Sequence, residues 1–323
     1  MVDLSTTYME LNLRNPTVVG SSSLTKSVEG IKQCADAGAG AIVMKSLFEE
    51  PADPEIDGEK AAYRSEEQPM LGSKNGHTDG RLNVEEYLRN INEAKQEVSL
   101  PIIASLSCVS MEGWKKYAKM VWNAGADALE LNISVVPYLS MVFSRAIEDL
   151  YLVIFEEVRN VVSIPVSLKL NPYFASMMRL AYDLGGSGAS ALVLFDRFYQ
   201  IDIDIENLKL KGGSPFSSSE EMSNGLRWMA LLHGKVNCDL AASTGIYEAE
   251  DVIKQLLAGA KVVQLCSTLY KNGLEKIASI LSSLESWMEK HGFHSLEDFR
   301  GILSQEKCKD FTFFERLQYG GNL

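Results

Sequence analysis

Lys45, Asn132 and Lys169 each close a short apolar run, where a strand would deliver a polar head group to a common rim. A lysine in such a place is costly unless it meets an anion or an electron-rich cofactor. The bland alternative is a surface lysine just past the strand. Asn132 and Ser134 lie in the run 128–137, Ala-Leu-Glu-Leu-Asn-Ile-Ser-Val-Val-Pro, where a cofactor or substrate can be held. The next residue, Val135, has no titratable group and can move no proton. Two stretches of small residues, Ala-Ala-Ser-Thr-Gly-Ile at 241–246 and Cys-Ser-Thr at 266–268, let backbone N–H groups approach a phosphate. A helix opening near Tyr247 would add its terminal donors.

These residues need a frame that brings distant strand ends together. β-Branched runs at 17–22, 41–45, 101–106, 128–132, 165–170, 189–195, 236–241 and 262–265 read as strands. Amphipathic runs at 28–37, 84–97, 111–123, 144–162, 174–184, 224–233, 247–258 and 274–291 read as helices. The stretch 49–82 is polar and rich in Gly and Pro, which marks a loop. Strict alternation of strand and helix predicts a (β/α)8 barrel, whose site is lined by the carboxyl ends of its strands. Ala-Gly-Ala recurs at 37–39, 124–126 and 258–260, so a glycine stops a helix before the next strand each time. A doubly wound open sheet is the competitor. It should carry GxGxxG after its first strand, where this chain has Val-Gly-Ser-Ser-Ser-Leu. Residues 1–303 read as a single barrel and 304–323 as a tail, rich in aromatics, that packs on the barrel or on a partner subunit.

Bulk properties exclude several classes. The 323 residues carry a formal net charge of -12, which disfavours nucleic acid. Five scattered cysteines without a CxxC pair argue against a disulfide scaffold, a zinc knuckle or an iron–sulfur site. No metal site is expected, and a reducing, cytoplasmic location fits the cysteine usage. The start lacks a signal-peptide pattern, and no apolar run reaches the roughly 18 residues of a membrane span.

Short motifs in a fixed order carry a family resemblance. They are Asn15-Pro16, Lys45-Ser46, Gly72-Ser73-Lys74-Asn75, Leu129 to Ser134, Val166 to Leu170 and Leu257 to Thr268. In these, residues 10–303 resemble the class 1 dihydroorotate dehydrogenases, FMN-containing (β/α)8 barrels. The resemblance implies FMN across the barrel mouth, met by backbone groups of Gly20 and Ser21, with Lys45, Ser46 and Asn132 near cofactor and substrate. Lys169 would stand by the flavin N1–C2=O edge and stabilise charge on the reduced ring. Thr244-Gly245 and Ser267-Thr268 match the phosphate-binding pairs, usually Gly-Gly and Gly-Thr. A homodimer is expected, and electrons would come from a soluble acceptor or an unseen partner.

The pattern departs from the family on the substrate side. The family motif Asn-x-Ser-Cys-Pro-Asn supplies a cysteine base; this chain reads Asn132-Ile133-Ser134-Val135-Val136-Pro137. Asparagine-containing turns after strand six are replaced by Phe195-Asp196-Arg197-Phe198-Tyr199. Orotate is therefore not the expected ligand, and a place in pyrimidine biosynthesis is doubtful. Replacement candidates are Arg197 for an anionic substrate, His77 as proton carrier, Tyr138 and Tyr199 as phenol donors, Ser134, and Cys108 as a thiol. Their duller readings are an Arg197 salt bridge to Asp196 or a loop glutamate, an exposed histidine and a buried cysteine filler. The expected activity is an FMN-dependent oxidoreductase on a CH–CH group with a different substrate. The alternatives are a flavin- or ligand-binding barrel without turnover and a barrel that holds another phosphorylated ligand.

Overall fold

The computed structural model describes residues 2–49, 83–135, 142–198, 200–308 and 314. A hairpin of β1 (Thr6–Tyr8) and β2 (Leu11–Leu13) precedes β3 (Thr17–Val19), α1 (Val28–Asp36), β4 (Ala41–Val43) and the two-residue β5 (Leu47–Phe48). Then come α2 (Val84–Glu97), β6 (Ile102–Ser107), α3 (Met111–Asn123), β7 (Ala128–Asn132), α4 (Ser144–Arg159), β8 (Val166–Leu170), α5 (Met177–Gly186) and β9 (Ala191–Leu194). A second hairpin, β10 (Ile201–Asp204) and β11 (Lys209–Gly212), interrupts the alternation. It is followed by α6 (Met222–Leu232), β12 (Asp239–Ala242), α7 (Ala249–Ala258), β13 (Val262–Leu265), α8 (Ser267–Asn272) and α9 (Lys276–His291).

Eight parallel strands run in the order β4-β3-β13-β12-β9-β8-β7-β6, and β6 pairs back onto β4. The sheet is thus closed, and the chain is a (β/α)8 barrel, as the alternation predicted. Strand periodicity divides the core in two. Leu129, Leu131, Leu168 and Leu170 point outward into the layer beneath the helices. Ala128, Ala191 and Ala241 point inward, and the space they leave is filled by Tyr8, Met9 and Leu13 of the N-terminal hairpin. That hairpin turns through Met9 and Glu10 at φ 52 and 63, the left-handed pair of a tight hairpin turn. The Met9 N–H donates to Asp239 Oδ2 at 2.8 Å, which ties the plug to the base of β12.

The Ala-Gly-Ala helix stops hold: Gly38, Gly125 and Gly259 all have positive φ. Asn15 is structural, since its amide donates to the Gly38 carbonyl and its Oδ1 accepts from Thr17. Several boundaries differ from expectation. The first barrel strand stops at Val19 because Ser22 caps a short 3-10 turn, Ser23–Thr25. The helix expected over 144–162 ends at Arg159. The helix expected from Tyr247 starts at Ala249, because the Asp251 carboxylate takes the Tyr247 and Glu248 N–H groups. No helix among the described residues is long and apolar enough to cross a membrane.

Candidate functional site

At the carboxyl mouth the inward-facing row turns from alanine to polar. Asn132 of β7 lies in register beside Lys169 of β8. Below Asn132 on the same face is Glu130, 1% exposed, whose Oε2 accepts from Gln264 Nε2 at 2.6 Å. Gln264 Oε1 in turn faces Lys169 Nζ at 3.4 Å, and Lys169 Nζ stands 3.6 Å from Asp196 Oδ1. A polar column therefore runs from the barrel centre to its mouth. Burial raises the Glu130 carboxyl above the ordinary carboxylate range, against the pull of Lys169 and the Gln264 bond. Burial also pulls the Lys169 ammonium down, but the carboxylates of Asp196 and Glu130 outweigh it and hold the group protonated. The Asn132 Oδ1 and Glu130 Oε1 atoms are buried with no hydrogen-bond partner among the described residues. Such orphans call for a ligand, an ion or water.

Beside this column lies a cavity of about 140 Å³, lined among others by Gly20, Ser21, Lys169, Thr244, Gly245 and Ser267. Six of the residues expected to hold a phosphorylated cofactor thus line one cavity. Thr244 and Gly245 both have positive φ, 70 and 77. The Thr244 hydroxyl donates to the Phe195 carbonyl at 3.0 Å. Ser217 reaches over the same spot: its Oγ accepts from the Gly245 N–H at 3.3 Å and donates to Ser267 Oγ at 3.1 Å. Lys271 Nζ lies 3.4 Å from the Ser217 carbonyl and over the Tyr247 ring. Two expected donors are spent elsewhere. The Thr268 hydroxyl bonds the Tyr247 carbonyl at 3.2 Å. The α7 start offers no free Tyr247 or Glu248 N–H, since Asp251 holds both at 3.0 Å. Ser267 and Thr268, expected just past the last strand, begin α8.

Lys45 and Ser46 are buried at the end of β4. Ser46 Oγ joins Ser105 Oγ at 2.8 Å and Ser21 Oγ at 3.1 Å, which links three strand ends by hydroxyls. Past Asn132 the chain turns outward: Ser134 is exposed, and Val135 is half-buried against the core. The turn is pinned by Tyr151, whose OH donates to the Ile133 carbonyl at 2.6 Å and accepts from Asn171 Nδ2 at 3.2 Å. Arg197 lines the cavity mouth, with its Nε 2.8 Å from Glu221 Oε2 and Nη1 2.8 Å from the Ser214 carbonyl. Of its two readings, the salt bridge to a loop glutamate is what the geometry shows. Burial, helped by Glu49, raises the Cys108 thiol well above its ordinary range, which disarms it as a base. Burial likewise raises the Cys266 thiol, although Lys169 opposes it. His77, Tyr138, Tyr199, Pro137 and the 72–75 motif lie outside the described residues.

The arrangement can hold an anion against hydroxyls and N–H groups at one end and a polar, electron-rich group beside Lys169 at the other. The chain belongs to the dihydroorotate dehydrogenase family. The family model described as "Dihydroorotate dehydrogenase" matches residues 3–288. A dihydroorotate dehydrogenase B (NAD(+)) catalytic subunit of Thermoplasma acidophilum is 26% identical over 94% of this chain and 99% of the relative. The corresponding protein of Thermoplasma volcanium is 28% identical, with the same coverage. The NAD-dependent dihydropyrimidine dehydrogenase subunit PreA of Escherichia coli K12 is 23% identical over 93% of this chain and 76% of its own length.

This family member carries buried polar residues at the site to which the sequence reading gave no role. Glu130 lies inside a quoted motif, and the two-residue period puts it on the inner face with Ala128 and Asn132. Gln264 was legible in the same way from β13. Ser217 lies beyond the β10–β11 hairpin, and no local pattern places it at the mouth.

Proposed function

We propose that this barrel binds FMN across its carboxyl mouth and acts as an oxidoreductase on a CH–CH group of a substrate other than dihydroorotate. Residues 1–303 form the binding unit in this reading. The observation that carries it is the single cavity lined by Gly20, Lys169, Gly245 and Ser267 together. The donor set suits the group. Hydroxyls of Ser217 and Ser267 with the Gly245 N–H would hold the phosphate end, and only long bonds of 3.1–3.3 Å must be exchanged. The orphaned Asn132 Oδ1 would accept from a ring N–H, and Lys169 would face an electron-rich ring edge.

Bound FMN supplies a two-electron acceptor or donor. Lys169, its ammonium held by Gln264 with Glu130 behind it, would place positive charge beside an electron-rich ring edge. Asn132 orients the ring. Val135 contributes no proton step, so a substrate that needs a base at that point is disfavoured. That same valine supports a second reading, a flavin-binding barrel without turnover. Oxidation of a saturated ring needs a base, whereas reduction of an activated alkene can draw its proton from solvent.

The test is the absorbance spectrum of the purified protein. A yellow protein that releases FMN on denaturation is expected. A colourless protein that also refuses added FMN overturns the reading. Anaerobic screening of alkenes against the reduced holoprotein then separates turnover from binding alone.

A further inference from the structure

Below Glu130 the barrel interior is filled by the N-terminal hairpin. Its Tyr8 ring is 1% exposed and packs with Ala128, Ala191 and Ala241. We infer that Tyr8 is a positioning residue for Lys169 at the opposite end of the barrel. Its hydroxyl donates, through one buried water, to the unpartnered Oε1 of Glu130, and so holds that carboxylate charged beneath the Gln264–Lys169 pair. This goes beyond the oxidoreductase reading and rests on it only for what Lys169 faces.

Two unpartnered atoms carry the inference. Tyr8 OH and Glu130 Oε1 are both buried with no hydrogen-bond partner among the described residues. The phenol has a proton to give, and an ionised carboxylate only accepts. Buried alone, each is costly; joined by a water, both are satisfied. The other Glu130 oxygen already accepts from Gln264. A third partner is at hand. Ser167 stands beside Glu130 in register on β8, and its hydroxyl also acts on that of Tyr8. The Ser167 hydroxyl spends its proton on the Leu129 carbonyl at 3.3 Å, which leaves it an acceptor. A water that accepts from Tyr8 and donates to Glu130 and Ser167 has the usual three bonds of a buried water.

Tyr8 is held in place to do this. The next residue, Met9, bonds Asp239 at 2.8 Å, and the buried Arg300 donates from Nη2 to Thr6 Oγ1 at 2.9 Å. A phenylalanine would fill the same space, so packing does not call for the hydroxyl. Its effect on charge has one sign. Burial and Asp196 push Glu130 toward its protonated form, and Lys169 and Gln264 oppose them. A donor on Oε1 adds to that opposition. The remaining titratable groups along this line are Cys266 beside Lys169, Tyr87 from α2, and Asp239 and Cys238 near Tyr8. Tyr87 spends its hydroxyl on the Ser105 carbonyl at 3.2 Å, and Lys169 faces Gln264 and Asp196. Tyr8 is therefore the hydroxyl left for Glu130.

The experiment is an NMR pH titration of the purified full chain with carbon-13 in its glutamate carboxyls. The Glu130 signal is the one that Glu130→Gln removes. Tyr8→Phe keeps the ring and loses the hydroxyl. It is expected to raise the Glu130 midpoint by about half a pH unit or more. Loosening of the core would move the midpoint the other way, because entering water favours the charged form. Lys169→Met is expected to raise the midpoint too, since the coupling of the two charges is reciprocal. A midpoint unchanged or lowered by Tyr8→Phe overturns the inference, and one unmoved by Lys169→Met breaks the link to the mouth and overturns it as well. A second measurement needs no variant to fold. A wild-type crystal structure fine enough to show ordered water is expected to place one between Tyr8 and Glu130, and a dry gap there overturns the inference. Neither measurement uses flavin. A colourless protein with a raised midpoint in Tyr8→Phe would sink the FMN reading alone, and a yellow protein with an unmoved midpoint would sink this inference alone.

Discussion

Gln264 Nε2 donates to Glu130 Oε2 at 2.6 Å, so a carboxylate on β7 and an amide on β13 meet across the barrel interior. The amide's other end faces Lys169, and its orientation is thereby fixed. Glu130→Ala breaks this chain and leaves the Gln264 donor buried and unpaired. The expected loss is about 3 kcal/mol or more, read as a fall in urea midpoint. Glu130→Gln keeps the volume and is expected to cost less than about 1.5 kcal/mol. The pH dependence has a definite sign. A carboxyl raised by burial favours its protonated form in the folded state, so its contribution is greatest below the unfolded value and is lost as pH rises through the folded value. Glu130→Gln should therefore flatten the decline in stability above pH 4.5, the ordinary glutamate value. A wild-type profile that overlays the Gln variant would remove Glu130 as a titrating group.

His233 gives the opposite acid-side behaviour. Its ring lies against Gly259 and Gly301, where any Cβ would overlap it. Burial holds the imidazole below the ordinary value of 6.5. The folded state thus prefers the neutral ring, and its contribution is complete above 6.5 and lost as pH falls through the folded value. Melting temperatures measured from pH 5 to 8 should fall more steeply for wild type than for His233→Gln below that point. Equal slopes would show that the ring does not titrate on unfolding.

Gly245→Ala tests the phosphate end. Gly245 sits at φ 77, and an added Cβ would overlap the Met222 backbone. Left-handed strain and crowding together are expected to cost about 2–4 kcal/mol. The loop must also shift away from Ser217 and Ser267, so FMN retention on gel filtration should drop with stability. Retention unchanged beside a lowered melting temperature would place the phosphate elsewhere.

Much of this frame was legible because period and punctuation agree along the chain. The strands at 128–132 and 262–265 and the helices at 84–97 and 111–123 fall where apolar spacing puts them. Gly38, Gly125 and Gly259 stop helices as the repeated Ala-Gly-Ala implied. The N-terminal plug escaped notice because β1 and β2 are three residues each, too short for a period to register. The β10–β11 hairpin carries an Ile-Asp-Ile-Asp alternation, but it interrupts the βα rhythm from which the fold was read, and no strand was placed there. At the site, Lys169 and Gly245 could be placed at one cavity because a barrel brings its strand ends to a common mouth. Arg197–Glu221 was left open between two readings because its partner lies 24 residues along the chain, across a hairpin. Pairings of that kind follow from tertiary packing and leave no local pattern.

Val135 gives the sharpest test of whether this member carries out its family's reaction. The residue is half-buried on the core side of the turn after Asn132, and Tyr151 pins the backbone just before it. A cysteine fits that volume without disturbing the turn, so Val135→Cys should fold with a melting temperature close to wild type. It places a thiol, a titratable group, at the position where the motif resemblance expects the family's base. If the missing base were the whole difference, the variant would bleach bound FMN on addition of dihydroorotate under anaerobic conditions. The pairing of Arg197 with Glu221 and of Lys169 with Asp196 argues that it is not, because these two cations already face carboxylates of the chain. The expected result is no bleaching by Val135→Cys alone and slow bleaching when Glu221→Gln is added. Full bleaching by the single variant would show that only the base was lost and that the charge pattern does not select the substrate.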